Sequence, residues 1–506
     1  VASRGLGDVY KRQVNYNLNR NGNISSMYQE QYLTGGNQYS ASANEGNSKG
    51  RSVNSSLLGE WKVDKSTRVN FSGNFGYTPN QNESNSQSAS FDAPPGVNHE
   101  NLFSDFESVP RDIKVNRSEN RSRSENESHR YHWAMGVMRR LNEKGTTLGL
   151  NIQNSDSWGN NESFSLSETT YFRLKDKNGN DSVLYRNQYL KSPQRNNSWR
   201  VGLSFTQPVG KKVRLRVAYN WSTRYERSNR DTYELSSLAS SDIYGELPSG
   251  YEAGYVDSLS NRSHSRSNGH DLNVGVNYSD DTWMFNASLG VTPQRRTIDR
   301  KVGKLYADTA MNMIDFQPMI WMSWRKKEMR VSLNYNGNTR QPSLSDLMPL
   351  TDNSNPLYIT RGNPDLKQMF SHNIRLNFQN SPKGISANLG GQVEQNSVTQ
   401  VMIYDVQTGG RETYPVNING NWNLSGGASW WKRFGHFSLR LDMSGNHSNR
   451  VGMINEDKSL QPEKSTTRDT GLNCEAQASY QPSWGGIDLS TCLLYTSPSP
   501  RDATLS

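Results

Sequence analysis

Through most of the chain, apolar and polar residues alternate one by one in short runs. Val53, Ser55, Leu57, Gly59 and Trp61 take alternate positions, a turn follows at Val63-Asp64-Lys65-Ser66, and Val69, Phe71, Gly73, Phe75 and Tyr77 alternate again. A period of two belongs to a strand with one face against something apolar and the other against water. The unit recurs. Tyr131, Trp133, Met135 and Val137 lead to Asn142-Glu143-Lys144-Gly145, and Leu148, Leu150 and Ile152 lead away. Comparable pairs of runs flank Pro208–Lys211, Ser279–Asp281, Arg325–Lys327, Ser381–Gly384, Lys432–Gly435 and Gln481–Ser483. The stretch from Val14 to Leu33 alternates weakly and is expected to hold one or two strands.

Between these hairpins lie long polar segments, among them 79–128, 155–197 and 225–267. Short turns therefore appear to one side of the strands and long loops to the other. Strands of about nine to eleven residues are the length that crosses a bilayer at a tilt. About sixteen of them, with short turns at one rim and long loops at the other, predict an all-β chain forming a transmembrane antiparallel up-and-down β-barrel. Closure is required in lipid, because an open edge leaves backbone groups unpaired. Aromatic residues gather near both ends of the strands: Trp61, Tyr278, Trp283, Trp324, Trp430, Trp431 and Tyr480 beside short turns, Tyr77, Tyr219, Trp221 and Tyr335 toward the long loops. Two interfacial girdles would place them so. Leu215, Val217, Leu333, Leu389 and Leu441 are expected to face lipid, and Arg214, Arg216, Ser332 and Arg440 the lumen.

One crossing differs from the rest. Arg340-Gln341-Pro342-Ser343-Leu344, Leu347-Met348-Pro349, Asp352-Asn353-Ser354-Asn355-Pro356-Leu357 and Gly362-Asn363-Pro364-Asp365-Leu366-Lys367 follow one another between two alternating runs. They resemble the late-barrel signature of TonB-dependent outer-membrane receptors, and more narrowly that of the outer-membrane beta-barrel protein family. Where that family continues with Pro-Glu, this chain has Gln368-Met369. The resemblance implies a barrel of about 22 strands, large enough to need an N-terminal plug. It implies long extracellular loops and short periplasmic turns in a Gram-negative outer membrane, with the lipid bilayer and lipopolysaccharide around the barrel. It further implies uptake of a scarce extracellular ligand, driven by the inner-membrane TonB complex. A passive porin or a surface adhesin barrel without energy coupling is the competing reading. The signature residues Arg340, Pro342, Ser343, Leu347, Pro349, Asp352, Asn355, Pro356, Gly362, Asn363, Pro364, Leu366 and Lys367 either brace the rim or line the ligand entrance. Their prolines and Asn/Asp residues favour a path of fixed turns, with Gly362 free to take a positive φ.

Composition fits a wet-lumened barrel. Of the 506 residues only 32% are hydrophobic, which alone suggests disorder, but 10% are aromatic, including Trp 12 and Tyr 24, and disordered chains are poor in these. A barrel needs apolar residues only on the outward half of each strand. The net charge of +9 is scattered over polar faces and loops rather than gathered in a block, which argues against nucleic acid as a partner. Two segments stand apart from the pattern: residues 1–13 (VASRGLGDVYKRQ) and 492–506 (CLLYTSPSPRDATLS) read as translated sequencing-adapter sequence. The barrel then occupies residues 14–491, as an internal piece of a longer protein. Setting Cys492 aside leaves Cys474 alone, without a disulfide framework or a zinc site.

No catalytic, metal or cofactor constellation emerges. There is no Walker loop, G-x-S-x-G elbow or H-E-x-x-H helix. His129 and His132 lie three apart on an expected strand and point to opposite faces. Asp176–Asp181 has acidic spacing reminiscent of a calcium loop but lacks its glycine and its bidentate Glu, and reads as a plain turn. Asp242 and Glu246 read as ordinary loop residues. The chain is therefore expected not to be an enzyme.

Overall fold

The computed structural model describes residues 9–31, 37–98, 101–238, 244–347, 351–355, 357–405, 410–455 and 463–498. Its strands are β1 (Val9–Gln31), β2 (Gln38–Lys62), β3 (Thr67–Phe91), β4 (Lys114–Arg140), β5 (Thr147–Lys175), β6 (Asp181–Val209) and β7 (Val213–Glu234). Then come β8 (Asn261–Ser279), β9 (Trp283–Val302), β10 (Leu305–Lys326), β11 (Met329–Arg340), β12 (Thr351–Asn355), β13 (Tyr358–Arg361) and β14 (Met369–Asn380). The remainder are β15 (Ile385–Gln395), β16 (Ser397–Asp405), β17 (Gly410–Ile418), β18 (Trp422–Phe434), β19 (Phe437–Asn455), β20 (Glu463–Tyr480) and β21 (Ile487–Pro498).

All belong to one 21-stranded sheet. Apart from β12, β13, β16 and β17, each strand pairs antiparallel with the next, so β11 passes to β14 and β15 to β18. Among the described residues no pairing joins β1 to β21. The pairing reaches back to Val9 in β1 and on to Pro498 in β21, and so enters both segments that the sequence pattern set apart. The weakly alternating start of the chain holds one strand, β1.

Antiparallel order settles the rims. The turns at Asp64, Lys144, Asp280, Lys326–Lys327 and Lys383 join every second pair of neighbours and so lie at one rim; 92–113, 176–180, 235–260 and 341–368 lie at the other. The inner turns are built from local side-chain bonds. At Asp280 the carboxylate accepts the backbone N–H of Thr282 (2.9 Å) and Trp283 (2.7 Å), the Tyr278 hydroxyl (2.5 Å) and the Lys212 ammonium (3.3 Å). These donors hold it well below the usual carboxylate range, the Tyr278 hydroxyl most of all.

Strand length is where the expectation fails. β5 and β6 have 29 residues each, not nine to eleven. At ~3.4 Å per residue that is ~100 Å of strand, against an apolar band ~25 Å tall. The polar segments expected as loops are hairpins standing above the membrane: Pro79 pairs with Glu127 and the ladder continues to Ser90–Asn116. Outside lipid both faces of a strand are wet, so alternation disappears while the backbone ladder persists. Nor are outer connections uniformly long. The β5–β6 turn is Asp176–Asn180, where the Asp176 carboxylate accepts N–H bonds from Asn178 and Asn180 (2.8 Å each), and the β9–β10 turn is Gly303–Lys304.

The register gives the sheet one apolar face through the whole meander. Phe205 stands opposite Val217, Val217 opposite Val274, and Val274 opposite Leu289. Farther on, Leu333 faces Leu376 and Leu376 faces Leu389. Leu215, Val217, Leu389 and Leu441 are all exposed on this face, as lipid-facing residues are. Arg214, Arg216, Ser332 and Arg440 fall on the other. Trp430 pairs with Leu441 on the lipid face, but Trp431 pairs with Arg440 and points inward. Adjacent residues on a strand cannot share a face, so only Trp430 belongs to the inner girdle.

Small apolar cores lie high on the arms rather than at a molecular centre. The 92–113 connection buries Leu102, Phe106 and Val109 against Tyr39 and Phe91. Segment 244–260 sets Tyr251 edge-on against Tyr189 and Tyr233, and Tyr255 edge-on against Tyr233.

Candidate functional site: a polar chamber in the upper lumen

On the inward face of β3–β9, above the apolar band, lies a cavity of about 1030 Å³. Its walls are short polar side chains, among them Asn82, Ser124, Asn126, Ser157, Asn161, Ser192 and Asn196. Register explains the clustering, since these residues occupy the alternate positions opposite the lipid-facing set. The charged part is local. Glu226 accepts from Arg224 at 2.6 Å and from Arg296 at 3.5 Å, and Arg296 also donates to the Ser265 hydroxyl at 3.3 Å. Lower down, Asp271 accepts from Arg200 and Asn220, both at 3.0 Å. Such a chamber offers hydrogen-bond donors and acceptors at close spacing around one carboxylate, Glu226, with Arg195, Arg227, Arg296 and Arg300 also on its walls. Among the described residues no cluster of His, Cys, Asp or Glu could hold a metal. His129 faces outward, between Tyr77 and Trp158 with ring centroids 4.8 and 5.1 Å away.

The signature crossing reaches this chamber through Ser343. Beyond Arg340, which ends β11, Pro342 is buried and Ser343 opens a one-turn helix, Leu344–Leu347. Its hydroxyl donates to the Asp346 carboxylate (2.6 Å) and accepts the Asp346 N–H (3.2 Å). Leu347 is buried. Pro349 and Pro356 lie outside the described residues, as does Asp242. Asp352 and Asn355 are in β12, paired with Thr360 and Tyr358 of β13. β13 runs parallel to β17, and β16 parallel to the top of β19, so the crossing is part of a small flap at the outer rim.

Asn363 is the flap's main fastener. Its N–H meets the Asp346 carbonyl (2.5 Å), its amide donates to the Pro415 carbonyl (3.0 Å), and its side-chain oxygen accepts the Asp365 N–H (3.0 Å). The Lys367 backbone is held on both sides by Asn417, at 2.7 and 2.9 Å. Pro364 is exposed and Leu366 half-buried. Gly362 is not among the glycines with positive φ, so the flap does not use the freedom expected of it.

Two residues not singled out from the signature, Gln341 within it and Gln368 just after it, tie the crossing to β10. Gln294 (2.7 Å) and Gln341 both donate to Asp315 of β10. Gln341 also donates to the Gln368 side chain (2.9 Å), which donates to the Ile314 carbonyl (3.2 Å). Gln368 stands where the family pattern has Pro, and here it ties the end of the crossing to the barrel wall. The crossing is thus hydrogen-bonded to the barrel wall and borders the chamber through Ser343. Glu226, Arg296 and Asp315 carried no signal in the sequence, because only cross-strand register brings them to their partners.

Comparison with known proteins places the chain among outer-membrane barrels. The profile of the outer membrane protein beta-barrel family matches residues 139–502. No curated protein matches. Solved structures with similar chain paths include a mutant ferric enterobactin receptor of Pseudomonas aeruginosa, at 11% identity and TM-score 0.36 over 94% of this chain and 74% of that one. The alcaligin outer-membrane receptor of Bordetella pertussis has 9% identity and TM-score 0.34, over 95% and 76%. An iron transporter of Neisseria meningitidis has 10% identity and TM-score 0.36, over 98% and 82%. At these levels no residue role is carried across.

Proposed function

The chain belongs to the outer membrane protein beta-barrel family, and from that premise we propose that it serves as the barrel of a TonB-dependent receptor taking up a scarce extracellular ligand. The observation that carries this reading is the polar upper-lumen chamber bordered by Ser343 of the signature crossing. Its volume suits a compact ligand of the usual small-molecule range, ~300–1,000 Å³. The hydroxyl and amide walls, with the Glu226–Arg296 pair among them, suit a ligand rich in hydrogen-bonding groups. Iron chelates, cobalamin, glycans and peptides all have that character. A plug domain in the parent protein and the inner-membrane TonB complex complete the cycle, as the family resemblance implies.

The test uses the parent protein in whole cells supplied with a panel of those ligand classes. Uptake of one class is expected, dependent on the inner-membrane energy complex, and reduced at least tenfold by Arg296→Ala with barrel assembly intact. Uptake indifferent to the energy complex would favour a passive porin. Energy-dependent uptake unchanged by Arg296→Ala would move the ligand site away from this chamber.

A further inference from the structure

The upper-lumen chamber has two unlike halves. On the β3–β6 side, every lining residue that the register turns inward is Asn, Ser, Gln or Gly. On the β7–β9 side, three neighbouring inward rows carry charge. Arg224, Ser267 and Arg296 form one row, Glu226 and Ser265 the next, and Ser228, Ser263 and Arg300 the third. Arg195 and Arg227 border the chamber from the outward rows of β6 and β7, so the lining charges that face inward are Arg296, Arg300 and Glu226. Among the described lining residues the one apolar side chain is Trp158, and it too stands in an outward row.

Charge in the second half does not balance. The Glu226 carboxylate is shared by two guanidiniums, Arg224 at 2.6 Å and Arg296 at 3.5 Å. The Arg296 side chain is only 19% exposed. Burial holds its guanidinium below the ordinary value, and Glu226 opposes this only in part. Arg300 stands farther up β9 on the same face, also on the chamber wall. An anion brought to these groups would take charge-assisted bonds and offset the excess of positive charge. The neutral half asks for different chemistry. A Ser hydroxyl or an Asn amide both donates and accepts, as the hydroxyls of a sugar do. Small-molecule pockets are mostly lined by apolar and aromatic side chains, and this one turns no such wall inward.

We infer that the chamber receives an acidic oligosaccharide, with its hydroxyls on the β3–β6 wall and its carboxylate or sulfate groups at Arg296 and Arg300. The inference deepens the uptake reading above and rests on it. Of the ligand classes that reading admits, an acidic glycan fits both halves. Its body is made of hydroxyl groups, and guanidinium forks match the paired oxygens of its acid groups. Cobalamin and aromatic iron chelates bring broad apolar faces, and most peptides bring apolar side chains, for which the inward wall has no counterpart.

The experiment titrates the detergent-solubilised parent protein with a panel of uronic-acid and sulfated oligosaccharides. Each is set beside its neutral counterpart, carboxyl-reduced or desulfated, and the uronate and sulfate arms tell which acid group is read. At least one acidic member should bind roughly tenfold or more tightly than its neutral counterpart, as charge-assisted bonds predict. The double variant Arg296→Gln, Arg300→Gln should lose that preference, and the corresponding double Lys variant should keep more of it. Glu226→Gln should tighten binding of the acidic member, because it removes the competing carboxylate. Folding is verified by heat-modifiable electrophoretic mobility. Equal binding of acidic and neutral members by wild-type protein, or no binding of any member, would overturn the assignment without any variant. So would an unaltered preference in a folded double Gln variant, or tighter binding of a ferric hydroxycarboxylate chelate than of every oligosaccharide. Each of these results leaves energy-dependent uptake standing. Acid-selective binding without energy-dependent uptake in cells would instead remove the uptake reading and leave the chamber's preference.

Discussion

Leu389 and Ser332 show what decides the worth of a side chain in this barrel. Leu389 is half-exposed on the face that lipid covers, whereas Ser332 pairs with Ser323 and Asn377 on the inward face. Leu389→Arg should therefore cost about 2–4 kcal/mol in refolding titrations into lipid, and Ser332→Arg much less. Equal costs would contradict the register, because a slip of one residue exchanges the two faces. Gly384 carries a different constraint. It turns the chain between β14 and β15 at φ +63°, and a Cβ there would overlap the Trp431 carbonyl. Gly384→Ala should cost about 1–3 kcal/mol, from strain and clash together. An unchanged unfolding midpoint would show that the turn relaxes freely. At Asp280 the folded-state pKa is depressed, chiefly by the Tyr278 hydroxyl. A depressed carboxylate stabilises the fold above its unfolded pKa, and that contribution fades as pH falls through the lowered folded value. The stability gap between wild type and Asp280→Asn should thus be full near neutrality and shrink below about pH 4. A gap that widened in acid would reverse the sign of this account.

At the scale of elements, the sequence displayed the part of each strand that lipid touches and hid the rest. The runs ending at Trp61, Val137 and Trp221 were legible because water on one side and lipid on the other impose alternation. Above them, stretches such as Ser84–Ser90 pair residue for residue with Ser122–Asn116, yet their serines and asparagines satisfy either face and print no period. The same limit hid the chamber, whose residues sit on those upper strands. The signature crossing was legible as a fixed path, with Asn363 among its residues, but the bonds that tie it to the wall were not. Asn363 does cap a turn through Asp365. The ties to the wall run through Gln341, Gln368 and Asn417, because hydrogen bonds across that distance depend on where β10 and β17 lie. Gln341→Ala with Gln368→Ala should loosen the crossing while leaving the hairpins intact. Limited proteolysis should then cut within residues 341–368 faster than in wild type. Equal protection would deny these bonds a bracing role.

At the scale of the whole molecule, the antiparallel meander separates two rims, and the rule that barrel turns are short on the periplasmic side places the rim of Asp64 and Lys144 there and the tall hairpins outside. That orientation underlies the lumen chamber and the flap alike. It is tested most directly by labelling with a membrane-impermeant maleimide on intact cells. Cys474 and Cys492, both exposed, are first replaced by serine. A single cysteine is then placed at Lys177, in the turn joining β5 to β6, or at Lys144, in the turn joining β4 to β5. Labelling at Lys177 on intact cells, and at Lys144 only after the outer membrane is permeabilised, is the expected result. Labelling of both positions on intact cells, or of Lys144 alone, would contradict the transmembrane arrangement.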